Sequence, residues 1–527
     1  MHRLLFILAL SGLALTGCNP TERTAITKKV DKKQPTTQPE QPLPPAEKPA
    51  VTQPEPSAAA LPDASASLLT VSLTVQDYNR VMPWEKRAAS SVKHIGVYLG
   101  EGKVLTLGRD LGIANYVEIS LPDSTRTVSA RVLRYDRDLN LGLLIVEDKQ
   151  DATIFEGRTA LSLGEPLSRT DKATLHCTLN GTQAVSIDLQ GEVGSSELGL
   201  PRLQMRADQA VPGNYSHGAP VVVNGKLVGI SCGYNAASRQ LKVINADLIG
   251  RFLSAAPEAP QGVPIAGVTL VELTDPVFRS YLKLNDASTG VYISKVDPAG
   301  AAAAAGLQKG DVITSVEGLK IDNRGRCEIP LYGTMDVTTV MRYLKPLGET
   351  LKVTYSRDGQ EHETVLQLNR DAEEKALIYT ENAEDAPRYF IWGGLVFQPL
   401  TTNYMNALQQ EAKALPIEFM KLSDQEEELQ KRGFKELTVL TLVVPTKATL
   451  GYDGCDFALV EKVNGKEPHS FQEFVALLQA PTESGMVEIS INKPPYRFYM
   501  ESAAAEQANS ELRRAGIINL QRLSEKE

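Results

Sequence analysis

Between about residues 69 and 258 the chain alternates apolar and polar positions in short runs. Examples are His94-Ile95-Gly96-Val97-Tyr98-Leu99, Lys103-Val104-Leu105-Thr106, Val117-Glu118-Ile119-Ser120-Leu121 and Val128-Ser129-Ala130-Arg131-Val132. Two later runs, at 141–146 and 220–223, are more uniformly apolar, and Asn224-Gly225 supplies a tight turn into Leu227-Val228-Gly229-Ile230. Period-two alternation gives each run one core face. Many such runs without a convincing long helix predict an all-β barrel or sandwich. From about 262 the pattern becomes mixed α+β and repeats weakly. Val296-Asp297-Pro298, Gly306-Leu307, Val312-Ile313 and Val316-Glu317-Gly318 return as Val444-Pro445, Gly451-Tyr452, Leu459-Val460 and Val463-Asn464-Gly465, each followed by a helical stretch. A repeat of this size means duplicated domains rather than a solenoid.

The N-terminal region has a different character. Met1-His2-Arg3 is a basic start, and Leu4 to Leu15 is an apolar stretch too short to span a bilayer stably. Leu15-Thr16-Gly17-Cys18 resembles the bacterial lipobox, whose cysteine is acylated. Residues 1–18 therefore read as a lipoprotein signal peptide and Cys18 as the lipidation site. Two or more acyl chains give stable membrane attachment. Asn19, where aspartate would favour inner-membrane retention in some bacteria, points to the outer membrane of a cell envelope. Residues 19–68, rich in Pro, Thr, Gln, Glu, Lys and Ala, cannot bury enough apolar surface to fold and read as a disordered tether. Its reach runs from about 40 Å as coil to about 150 Å as polyproline.

Composition adds bounds. The 527 residues call for three or four domains, and 42% hydrophobic residues suit a folded, soluble body. A net charge of −9 argues against nucleic acid or anionic lipid as the main partner. Besides Cys18 there are Cys177, Cys232, Cys327 and Cys455. Cys177 and Cys232 could pair, but buried free thiols are the preferred reading. The absence of CxxC or zinc-type spacing leaves no metal or other cofactor expected.

Ala305-Gly306-Leu307-Gln308-Lys309-Gly310-Asp311-Val312-Ile313 closely resembles the signature of PDZ domains in Do-like, HtrA-type serine proteases. The resemblance implies a groove in which a protein C-terminus or extended segment adds as a strand, its carboxylate held by backbone N–H groups. Ile265, Ala266, Gly267 and Val268 are expected to form the carboxylate loop, and Val337, Val340, Met341 and Leu344 the helical wall. The second copy opens on Phe390-Ile391-Trp392-Gly393-Gly394-Leu395-Val396-Phe397. It resembles the second PDZ of a Do-like branch best known from plants, which implies oligomer contacts and self-occlusion more than substrate capture.

The β-rich region is similar to the protease domain of the same family, but the triad positions differ. Lys103-Val104-Leu105-Thr106-Leu107-Gly108-Arg109 puts Arg109 where the family has histidine. In Asp136-Arg137-Asp138-Leu139-Asn140-Leu141, Asn140 replaces the aspartate, and in Gly213-Asn214-Tyr215-Ser216-His217-Gly218-Ala219-Pro220 it is His217 that aligns with the serine. Arginine stays protonated and cannot accept the proton that would activate a hydroxyl. Ser216 is the rescue candidate for a displaced nucleophile. His94 and His176 lie in predicted strands away from the family's histidine position.

The expected architecture is mainly β: a trypsin-like double β-barrel (69–258), a PDZ domain (262–370), and a divergent PDZ-like domain with a C-terminal helix (386–527). The leading functional expectation is a lipid-anchored pseudoprotease that binds peptides as a scaffold or adaptor and forms a homo-oligomer. The alternatives are an active serine endopeptidase using Ser216, and a structural oligomer whose PDZ domains serve self-assembly.

Overall fold

The computed structural model describes residues 63–524, apart from 123, 180–182, 193, 198, 213–216, 257, 258, 260, 285–287, 412 and 413. Cys18, the signal segment, most of the tether and Ser216 lie outside the described residues. The tether was expected to run to residue 68, yet the described residues from Asp63 to Leu68 already carry regular structure. Its side chain caps a 3-10 turn, Ala64–Ser67, by accepting from the Ser65 amide at 2.9 Å, and Leu68 is already buried in the first strand.

Seven strands follow: β1 (Leu68–Val75), β2 (Ser90–Gly100), β3 (Lys103–Thr106), β4 (Ala114–Ser120), β5 (Thr127–Ser129), β6 (Arg131–Asp136) and β7 (Leu141–Ile145). They form one antiparallel sheet in the order β5-β4-β1-β2-β3-β7-β6. Alternation sets its interior: Leu69, Val71, Leu73 and Val75 of β1 point into a core with Val104, Val117, Ile119 and Leu144, while Thr70, Ser72 and Thr74 point away. The second sheet holds β8 (Lys172–Leu179), β9 (Gln183–Gly191), β10 (Ser195–Glu197), β11 (Leu200–Ala207), β12 (Pro220–Val223), β13 (Lys226–Asn235) and β14 (Gln240–Asn245). Because β11 pairs with both β14 and β9, this sheet closes into a barrel, followed by α1 (Ala246–Ser254). Closure removes exposed strand edges.

The first PDZ domain comprises β15 (Val268–Glu272), α2 (Pro276–Tyr281), β16 (Val291–Val296), α3 (Ala301–Ala304), β17 (Val312–Val316), β18 (Leu319–Lys320), β19 (Arg326–Ile329), β20 (Gly333–Asp336), α4 (Val337–Tyr343), β21 (Thr350–Arg357), β22 (Gln360–Gln367) and α5 (Asp371–Glu374). Its sheet runs β15-β16-β17-β21-β22. It shares a hydrophobic core with the second barrel. The Tyr332 and Tyr343 hydroxyls both donate to Asp247 of α1, at 2.9 and 2.7 Å, and Ser196 and Thr339 meet hydroxyl to hydroxyl at 3.0 Å.

The last domain comprises β23 (Tyr389–Trp392), β24 (Leu395–Pro399), α6 (Thr402–Gln410), α7 (Ile417–Lys431), β25 (Thr438–Val443), β26 (Ala458–Val463), α8 (Phe471–Gln479), β27 (Met486–Ile491), β28 (Arg497–Glu501), α9 (Ser502–Arg514) and β29 (Gln521–Arg522). Its sheet order β28-β27-β26-β25-β24-β23-β29 contains the PDZ arrangement, with β24 standing where β15 stands in the first copy. The loop between β1 and β2 reaches into this domain: Val81 joins a core with Leu377, Leu400 and Phe419, and Trp84 packs beside Tyr389 and Ile391.

Candidate functional site: a barrel cleft and a PDZ groove

Tight turns after β3 and before β7 bring together Arg109 and Asn140, the residues expected at the first two triad positions. The Arg109 amide donates to Asn140 Oδ1 at 3.0 Å, and Asn140 is buried. Asn140 has φ +59°, a left-handed conformation that asparagine tolerates better than most residues. Its amide therefore serves the backbone of the loop. The Arg109 guanidinium turns outward to Glu197, 3.3 Å away and itself beside Lys242. His217 is exposed, and its carbonyl accepts from the Ile95 amide at 2.7 Å, which ties its loop to β2.

That tie brings in a residue the sequence reading set aside. His94, on β2 next to Ile95, is buried in this cleft rather than lying apart from it. Its Nε2 sits 3.0 Å from Asp110 Oδ2, on the residue following Arg109. The hydrogen bond from His94 holds the Asp110 carboxyl below its ordinary pKa against the opposing effect of burial, with Arg109 adding a smaller pull. In a neutral ring, donation to the carboxylate puts the proton on Nε2 and leaves Nδ1 as the acceptor; Nδ1 is buried without a partner among the described residues. His217 is pushed below the ordinary imidazole pKa, first by desolvation, then by His94, with Asp110 partly compensating. The cleft thus assembles Arg109, Asp110, Asn140, His94 and His217. The one sign of His94 in the sequence is a polar residue at the head of the apolar run Ile95-Gly96-Val97.

Among the described residues, no group of three or more His, Cys, Asp or Glu side chains is arranged to hold a metal. Cys177, Cys232, Cys327 and Cys455 are free thiols, and burial pushes Cys177 and Cys232 up to about 11.

The loop Ile265-Ala266-Gly267-Val268 leads into β15. The Ala266 and Gly267 carbonyls are taken by the Ala302 and Asp297 amides at 2.9 and 2.8 Å. Gly267 has φ +75°, and a Cβ there would sit 2.9 Å from the Gly300 Cα, so this position requires glycine. Beside the loop lies a cavity of about 250 Å³ lined by Val268, Thr269, Lys295, Met341, Arg342 and Glu373, among others. Of the four helical residues expected to wall the groove, only Met341 lines this cavity. Val337 and Val340 are fully buried in the core shared with the second barrel, and Leu344 packs against that core. The apolar stripe at i, i+3, i+4, i+7 is used for packing across β11, so the groove side of α4 is Thr338, Met341 and Arg342 instead. Among the described residues nothing pairs with the outer edge of β15. In the last domain the equivalent β24 is covered: β23 pairs with it and β29 pairs with β23.

Two family models, each described as a PDZ domain, match residues 264–368 and 378–522. Do-like 3 of Arabidopsis thaliana mitochondria is 23% identical over 405 residues, covering 75% of this chain and 69% of that protein. The serine protease Do-like HtrA of Lactobacillus helveticus is 26% identical over 290 residues, covering 51% of this chain and 65% of that one. A solved HtrA-type protease, AlgW with a tripeptide, aligns with a TM-score of 0.43 at 20% identity, covering 58% of this chain and 94% of that structure. The chain carries two PDZ domains and is a homologue of the Do-like, HtrA-type serine proteases.

Proposed function

We infer that the protein is a proteolytically inactive HtrA-like scaffold: a lipid-anchored envelope protein whose first PDZ groove holds protein C-termini or extended segments. The observation that carries this reading is Arg109. A permanent cation occupies the place of the general base, its side chain is directed to Glu197, and its amide engages the asparagine that replaces the orienting carboxylate. The open β15 edge, with an unencumbered cavity beside it, supports peptide addition there. The covered β24 supports assigning capture to the first PDZ domain alone and self-association to the second, in a homo-oligomer. No cofactor or nucleic acid enters this reading.

The binding half is tested with the full-length chain on an array of ten-residue peptides with free carboxyl termini. Selective hits are expected, weakened at least tenfold by Met341→Asp, which places a charge in the cavity. Uniform failure to bind would remove the scaffold reading. The anchoring half predicts that the protein fractionates with membranes and is extracted by detergent, and that Cys18→Ser releases it. Membrane association unchanged by that substitution would count against lipidation.

A second reading has one observation in its favour. The His94 ring, 3.0 Å from Asp110 and with Nδ1 unpartnered among the described residues, is an imidazole–carboxylate pair of the kind that serves general-base catalysis. On this reading Ser216 is the nucleophile.

A further inference from the structure

We propose that two copies of this chain pair through the outer edge of β28, strand to antiparallel strand, about a two-fold axis at Tyr499. The inference rests on the assignment of self-association to the last domain and names the surface that carries it.

The register of β27 on β28 fixes which groups face outward. Ile489 pairs with Phe498 and Val487 with Met500, and the Ile491 amide donates to the Tyr496 carbonyl at 2.9 Å. Residues 496, 498 and 500 therefore exchange main-chain hydrogen bonds with β27, while the N–H and C=O groups of Arg497, Tyr499 and Glu501 point away from the sheet. A side chain marks that direction. The Tyr452 hydroxyl accepts from the Tyr499 amide at 3.1 Å and donates to the Tyr499 carbonyl at 3.2 Å. Among the described residues no strand pairs with this edge. Phe498 and Met500 are buried, so Arg497, Tyr499 and Glu501 share the exposed face.

The edge is complementary to itself. An antiparallel pair centred on Tyr499 sets Arg497 of each copy opposite Glu501 of the other, with the two Tyr499 rings side by side. Each of these opposed pairs exchanges two main-chain hydrogen bonds, whereas Tyr452 supplies the edge with two in all. Apolar surface flanks the strand. Tyr499 is 49% exposed, Tyr496, in the turn leading into β28, 58%, and Leu450, two residues before Tyr452, 86%. Met486 of β27 is exposed on the same face as Tyr499. Uncovered apolar side chains along an unpaired edge mark an interaction site, and opposite charges two residues either side of its centre select an identical strand. A ligand of one charge sign would leave Arg497 or Glu501 unmatched.

Sedimentation of the full-length chain in detergent, over a range of concentrations, tests the pairing. The unaltered chain is expected to dimerise. Arg497→Glu and Glu501→Arg, both at exposed positions, should each weaken association about tenfold or more, because each sets like charges opposite one another twice. An equimolar mixture of the two variants should recover the original affinity as a mixed dimer, which a folding defect would not allow. Tyr452→Phe, which removes the competing hydroxyl and keeps the ring, should strengthen association. Self-association indifferent to both charge reversals, a mixture that stays dissociated, or no gain in Tyr452→Phe would overturn pairing at β28 and leave a homo-oligomer built through another surface. A chain that stays monomeric at every concentration would overturn the homo-oligomer reading and this interface together.

Discussion

Purified full-length protein is expected to turn over an unfolded substrate such as casein about a millionfold more slowly than an enzyme with an intact Ser-His-Asp triad, because the members act as a unit and their losses do not add. Each position contributes to the deficit in its own way. Arg109 cannot take a proton at any working pH. Asn140 offers no charge to a developing imidazolium, and its oxygen is already used by the Arg109 amide. His217 stands where the resemblance places the nucleophile's hydroxyl, and an imidazole there is no substitute for it. Arg109→His alone should therefore restore no measurable turnover, since neither the carboxylate nor the nucleophile returns with it. His94 is the residue with the means to defeat this argument. Its free nitrogen, however, is enclosed, and no described hydroxyl reaches it. A fluorophosphonate probe decides between the two readings. Labelling of Ser216, lost in both His94→Ala and Asp110→Asn, together with casein cleavage lost in Ser216→Ala, would establish an enzyme with a rebuilt dyad. Absence of labelling supports the scaffold.

Much of this architecture was legible because it rests on local signals. Period-two alternation marked the barrel strands, and the Gly306 to Ile313 run marked the turn and core strand of the first PDZ domain. The expected replacement of the triad rests on the resemblance alone, which says which residue stands at a position but not what that residue does in the fold. What stayed hidden was set by tertiary contact. The stripe Val337, Val340, Met341 and Leu344 does not say which neighbour it faces. It was assigned to the groove, but the second barrel claimed most of it. His94 could not be placed in the cleft because its partner Asp110 lies sixteen positions away, on a turn whose direction only the folded barrel fixes. The helices α6 and α7 went unread inside the second PDZ copy. In α7 the buried Phe419 and Leu422 alternate with exposed Ile417 and Met420, which blurs the periodicity.

The β1–β2 loop carries the largest expected effect on stability, because it buries a charge in another domain. Arg80 and Glu381 form an ion pair at 2.5 Å, with side chains 7% and 2% exposed. The Arg80 guanidinium also donates to the carbonyls of Ala383 and Asp385, at 3.3 and 2.9 Å, and the Thr401 hydroxyl donates to Glu381 Oε2 at 3.4 Å. Removing one partner of a buried pair leaves an uncompensated charge and costs about 3–5 kcal/mol. Arg80→Ala should fall within this range, because it takes the cation away from a buried carboxylate. Glu381→Gln should cost less, because the cation keeps two carbonyls. Replacing both together with Met and Leu should recover part of the loss, since apolar side chains of similar volume need no partner there. A chain of several domains need not unfold in one step, so the sensitive readout is local: hydrogen exchange across residues 76–89 and 376–404. Protection should fall there in Arg80→Ala and stay unchanged in β21 and β22 of the first PDZ domain. A loss below about 1 kcal/mol, of the size expected for an exposed pair, would mean that the loop is not held by this contact.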